Sequence, residues 1–322
     1  MGHDENRQLE AGQLEPGQLM PAPSDVRRPI RISLALSAIA GIAVIVVYLV
    51  FVRTKWGQEV DDLAFEGRAA VSPQATQRLN RMLNTVTESS LFLLGGAIVF
   101  IALAQRRLRL VFVVGTCMSA AVLTTEVLKL HLLTRPTFDD VQGIANNSYP
   151  SGHATIGMVL SLGLVMVSTT RWRKVATLAA ALLATAFGTA VLATGWHRPS
   201  DTFGAHGVAL MWFAAGHAVL LWSDHAHPYR YGIAGEQDRP PSRTLLVMAV
   251  LALGGFTTFA LIRSLDTDGL RAVAYAGWYV VTCLAIDAVG IAVVLVFAVL
   301  TGDRARRRRD AGFVPVETPA AT

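Results

Sequence analysis

Pro150-Ser-Gly-His-Ala-Thr-Ile-Gly-Met-Val-Leu-Ser-Leu-Gly-Leu-Val-Met-Val-Ser-Thr-Thr170 joins a tight turn, Pro150 to His153, to an uninterrupted apolar run. Such a run reads as a membrane helix, because in lipid every backbone polar group must be satisfied within the segment. The turn at its start presents free backbone N–H groups and the positive end of the helix dipole, where anions bind. Ser151 adds a hydroxyl, Gly152 lets a ligand approach the backbone, and His153 exchanges a proton near neutral pH. Taken alone, the same turn reads equally well as a Pro-Gly turn with an interfacial histidine, so the rest of the chain decides.

The chain has 322 residues, of which 52% are hydrophobic and 16% charged, and its mean hydropathy is +0.45. Apolar runs fall at 32–52, 87–104, 110–132, 154–170, 175–194, 202–222, 244–262 and 272–300. Runs of about twenty residues select helices over a barrel. The expected fold is an all-α polytopic membrane protein with about eight transmembrane helices.

The net charge of +5 does not point to nucleic acid, because the basic residues cluster at the ends of apolar runs, as topology signals do. Arg27, Arg28 and Arg31; Arg106, Arg107 and Arg109; Arg171, Arg173 and Lys174; Arg230, Arg239 and Arg243; and Arg304 with Arg306 to Arg309 all fall on one side. That side is expected to be cytoplasmic and to hold both termini. Cys117 and Cys283 lie inside apolar runs, which disfavours a disulfide framework or a zinc site. Arginine in excess over lysine, with abundant alanine, hints at a GC-rich bacterial genome, and the expected location is the plasma membrane. Residues 1–26 read as a disordered tail with no signal peptide, so that the first apolar run is a retained anchor. Residues 27–228 form the membrane domain, 229–243 a linker, 244–302 two further transmembrane helices, and 303–322 a basic tail.

Three polar sites fall on the opposite, extracytoplasmic side: Lys129-Leu-His-Leu-Leu-Thr-Arg135-Pro136, Pro150-Ser-Gly-His153 and Gly195-Trp-His197-Arg-Pro-Ser-Asp201. Lys129 and Arg135 bring fixed positive charge, and arginine binds phosphate through paired N–H donors. Ser151 and Gly152 bring the helix N-terminus. Two histidines allow one to attack and the other to protonate a leaving group. Asp201, four residues after His197, is placed to hold the imidazole N–H and fix its tautomer. Each piece has a plain reading too: lysine and arginine snorkel, Trp196 and His197 anchor at an interface, and Asp201 caps a helix. Three coincidences on one face favour chemistry. The absence of a carboxylate cluster for a divalent metal suits metal-independent phosphoryl transfer, with no cofactor.

Lys-x5-Arg-Pro, Pro-Ser-Gly-His and His-x3-Asp, in that order, resemble the type 2 phosphatidic acid phosphatase (PAP2) superfamily, most clearly over residues 85–225. The family includes lipid phosphatases, bacterial polyprenyl-diphosphate phosphatases and soluble vanadium haloperoxidases. The resemblance implies a six-helix core, with His197 as nucleophile, Asp201 as its partner and His153 as general acid. It sets Lys129, Arg135, Ser151 and Gly152 around the phosphate. The substrate implied is a phospholipid or polyprenyl phosphate, hydrolysed at the extracytoplasmic face through a phosphohistidine.

Two departures stand out. The family has six residues between its lysine and Arg-Pro, where this chain has Leu130 to Thr134. Its third motif opens with Ser-Arg, where this chain has Ala190 and Val191. Arg198, next to His197, is a candidate substitute for the missing arginine. The alternative is a catalytically degenerate lipid-phosphate-binding or scaffold protein, and a transporter ranks last.

Elsewhere, Val60 to Gly67 reads as a short interfacial helix or a plain loop and is assigned no chemistry. His225 and His227 read as a solvated loop rather than a metal site. Glu126 is expected to pair with Lys129. Asp287, in the last apolar run, is expected to make a structural hydrogen bond to a neighbouring helix.

Overall fold

The computed structural model describes residues 27–85, 88–138, 147–226 and 270–310. These residues form helices and connecting segments. In chain order the helices are α1 (Arg27–Val47), α2 (Lys55–Gly67), α3 (Pro73–Thr85), α4 (Glu88–Ala104), α5 (Leu108–Val127), α6 (Gly152–Val167), α7 (Arg173–Ala193), α8 (Pro199–Ala226) and α9 (Leu270–Asp310). α1 and α5 each run on into a π-helical turn, Tyr48–Val52 and Leu128–Leu132.

Among the described residues, five stretches are long and apolar enough to cross a membrane: Arg27–Val52, Leu108–Leu132, Arg173–Ala193, Pro199–Asp224 and Ala274–Gly302. Leu93–Ala104 and Gly152–Val167 are apolar but shorter. Seven of the eight expected runs therefore coincide with helices. The run at 244–262, the 1–26 tail and the 229–243 linker lie outside the described residues. The expected tail begins at residue 303, but α9 carries the helix through Asp310.

α6 is the centre of the bundle. It packs against α5, α7 and α8, and most of its side chains are buried. α1 lies along α8, and α9 lies along α7 and α8. Tyr149, ahead of α6, is fully buried and donates to the Val44 carbonyl of α1 at 2.6 Å. The short hairpin between α4 and α5 turns on Arg106 at φ 54°, and Gln105 Nε2 donates to the Val167 carbonyl at the far end of α6.

The polar segment after α1 is not a loop. Thr54 caps α2 in extended geometry, its hydroxyl accepting from Gly57 N–H at 3.0 Å. α2 then turns Gln58, Asp61, Asp62 and Ala64 inward while leaving Trp56 exposed. α3 has the usual polarity, burying Leu83 completely beside Ala154, Phe187 and Val191.

Candidate functional site

The site gathers at the N-terminal end of α6. Ser151 stands at the N-cap with φ −72° and ψ 122°, and its hydroxyl accepts from Ala154 N–H at 3.2 Å. Its own N–H donates to the Asp201 carbonyl at 2.9 Å, which pins the start of α6 to the start of α8. The amides of Gly152 and His153, in the first turn, have no intrahelical carbonyl to bind. A Cβ placed on Gly152 would lie 3.1 Å from Glu126 Oε1 and 3.7 Å from Lys129 Nζ. Glycine thus lets the Lys129–Glu126 pair, 2.7 Å apart, close onto the helix terminus.

Lys129 projects from the π-helical turn. Leu133 N–H closes that turn on the Leu128 carbonyl at 2.8 Å, and Leu133 itself is extended, at φ −107° and ψ 142°. The five-residue spacing from Lys129 to Arg135 is taken up at this helix exit. Asn147 Nδ2 donates to the carbonyls of Lys129, Leu133 and Tyr149, tying the exit to the segment before α6.

Asp201 is the hub. Fully buried, it faces four donors. One oxygen lies 3.2 Å from His197 Nδ1 and also accepts from Ser148 Oγ at 2.6 Å and Arg198 N–H at 3.1 Å. The other accepts from Arg135 Nη2 at 3.1 Å. With Pro199 opening α8, Asp201 stands at the third helical position and reaches back to the capping residue's N–H, as an acid does in a capping box. The cap and the histidine partner are therefore the same carboxylate. An Nδ1–H donated to Asp201 leaves His197 Nε2 with its lone pair free.

The Arg135 side chain is 3% exposed, and its Nε and Nη1 have no partner among the described residues. Its donors are thus held dry at the site. His153 meets Trp196 edge to face, with ring centroids 4.9 Å apart, beside the loop that carries His197. His197, Asp201, Arg135, Lys129, Ser151, Gly152 and His153 accordingly converge on one end of the bundle.

Arg198 does not join them. Its side chain is fully buried, with Nε and Nη2 each 2.7 Å from Asp62 Oδ1 of α2. This pairing turns the guanidinium toward α2, while its Nη1 and Nη2 make no hydrogen bond among the described residues. Val191, the departed position, is also fully buried. It contributes its carbonyl, which accepts from Trp196 N–H and His197 N–H, both at 3.1 Å.

Three further residues enter the site region. Ser148, two residues before the Pro150 turn, binds Asp201 and carries no role in the sequence reading. Asp61 accepts from Ser200 N–H at 3.1 Å and from the Ser200 hydroxyl. Burial raises the Asp61 carboxyl from 3.8 to about 7, against the lowering effect of its Ser200 hydrogen bond and with nearby Asp201 adding to the rise. Burial likewise raises Asp62, opposed by its pairing with Arg198. Adjacent acids in a polar segment were the only signal in the sequence.

No curated protein and no solved structure matches the chain. A family model described as the PAP2 superfamily matches residues 110–226, from the start of α5 to the end of α8. The match begins later than residue 85 and leaves α4 outside it.

Proposed function

With residues 110–226 belonging to the PAP2 superfamily, we propose that this membrane protein hydrolyses a lipid phosphomonoester or diphosphate through a phosphohistidine on His197. The observation that carries the reading is the Asp201 carboxylate, which holds His197 Nδ1 on one oxygen and Arg135 on the other. His197 Nε2 attacks phosphorus. The phosphorus–oxygen bond to the lipid breaks, and the leaving oxygen takes a proton from His153. Water then attacks the phosphohistidine, gives a proton to His153, and inorganic phosphate leaves as the phosphorus–nitrogen bond breaks. Arg135, Lys129, Gly152 and Ser151 bind the phosphoryl oxygens as charge shifts among them. The clustering of basic residues in the other loops supports a plasma-membrane protein with cytoplasmic termini and an extracytoplasmic site.

Purified protein is assayed for phosphate release from polyprenyl diphosphate, phosphatidic acid and phosphatidylglycerol phosphate, beside His197→Ala. Release from at least one lipid that is lost in His197→Ala is expected. No release from any of them sinks the hydrolase reading. The second reading, a lipid-phosphate binder without turnover, is favoured by the apolar Val191 at the motif's arginine position; saturable binding of those lipids by wild type without release identifies it.

A further inference from the structure

We propose that α2 is a registering clamp for the site, and that Asp61, Asp62 and Gln58 are positioning residues that set the His197 loop against the Arg135 segment. The inference rests on the reading of His197 and Arg135 given above, and it concerns residues outside the matched segment.

α2 touches both halves of the site through buried polar contacts. Asp62 holds the Arg198 guanidinium, one residue after His197. Asp61 holds both the N–H and the hydroxyl of Ser200, one residue before Asp201. Gln58 Nε2 donates to the Pro136 carbonyl, one residue after Arg135, and to the Val52 carbonyl, each at 2.9 Å. One helical face thus grips the neighbours of the three residues that meet at Asp201.

The helix is itself fixed at both ends. A Cβ on Gly57 would lie 2.1 Å from the Val50 carbonyl oxygen of α1's π-helical turn. One on Gly67 would lie 2.2 Å from the Tyr275 carbonyl oxygen of α9. Only glycine allows backbones that close, so α2 is wedged between α1 and α9 with little freedom to slide.

Stability alone does not account for these contacts. Arg198 Nε alone hydrogen-bonds Asp62 Oδ1, while Arg198 Nη1 and Nη2 and Asp62 Oδ2 are buried without a hydrogen bond among the described residues. An incompletely satisfied buried ion pair contributes little to stability and is often replaceable by apolar residues. It does fix geometry, and phosphoryl transfer loses orders of magnitude in rate when the attacking atom is displaced by about 1 Å.

The test uses Asp62→Asn and the paired replacement Asp62→Leu with Arg198→Met, which removes both buried charges and so keeps the fold should Asp62→Asn fail to fold. Turnover of dioctanoyl phosphatidic acid is measured per folded molecule, together with amide hydrogen exchange. The expected result is a kcat lowered at least about tenfold with KM changed less than about threefold. Exchange should accelerate across residues 195–201 and not across α6. Unchanged exchange at 195–201, or wild-type kcat per folded molecule in the paired variant, overturns the clamp. Exchange raised evenly over all helices also overturns it, marking a merely structural role. A wild type that hydrolyses none of the lipids removes the hydrolase reading, while the exchange measurement still decides the clamp.

Discussion

Val191 stands where the third family motif carries an arginine, and its side chain lies fully buried among apolar neighbours. The side chain is packed with Leu83 of α3, Ala154 at the start of α6, and Phe187 and Ala205. Val191→Arg would bury an unpaired guanidinium in that cluster, at a cost of several kcal/mol. The variant is expected to unfold at lower temperature in detergent and to gain no turnover. Wild-type melting with faster phosphate release would show instead that the pocket has room for the charge. At this scale the sequence was informative where partners are close along the chain. His197 and Asp201, four residues apart, and Glu126 and Lys129, three apart, were legible as pairs. The pairing of Arg198 was not, because its partner Asp62 lies 136 residues away.

α2 is the element that sequence reading underestimates, and the reason is polarity. Periodic patterns are read by expecting apolar side chains inward, whereas α2 turns Gln58, Asp61 and Asp62 inward and Trp56 outward. An inverted helix between two apolar runs looks like a loop. The long apolar helices carried no such ambiguity, and α3, polar outside and apolar inside, was lost among the polar residues around it. The inward acids make the element's stability depend on pH. Asp61 titrates at about 7 in the fold against 3.8 for a free carboxyl. Between those values the folded protein retains a proton that the unfolded chain releases, so its contribution is present below about pH 4 and is lost as pH rises through 7. Asp61→Asn keeps an acceptor for Ser200 N–H and removes the titration. Its melting temperature relative to wild type should therefore rise steadily from pH 4 to 7 and level off above. A difference that does not vary with pH over that range would contradict the assignment.

Across the whole molecule, the bundle places a short central helix behind a polar roof. α6 has 16 residues, about 24 Å at 1.5 Å per residue, against a hydrocarbon core of about 30 Å. Its N-terminus is overlaid by residues that reach it from α5, α8 and the segments between them. Within the last helix Asp287 is buried, as expected of an ionisable residue that faces protein rather than lipid. The 3% exposure of the Arg135 side chain has a consequence for how the protein responds to its medium. Dissolved ions weaken attraction between exposed charges over roughly 10 Å at 0.1 M, but they scarcely penetrate to a desolvated guanidinium. Raising sodium chloride from about 0.05 to 0.5 M, in neutral detergent, should therefore change kcat/KM less than about threefold. A tenfold or greater fall would mean that phosphate is captured by surface arginines and not by this one. Ionic strength thus becomes a means of telling a recessed catalytic charge from a peripheral one.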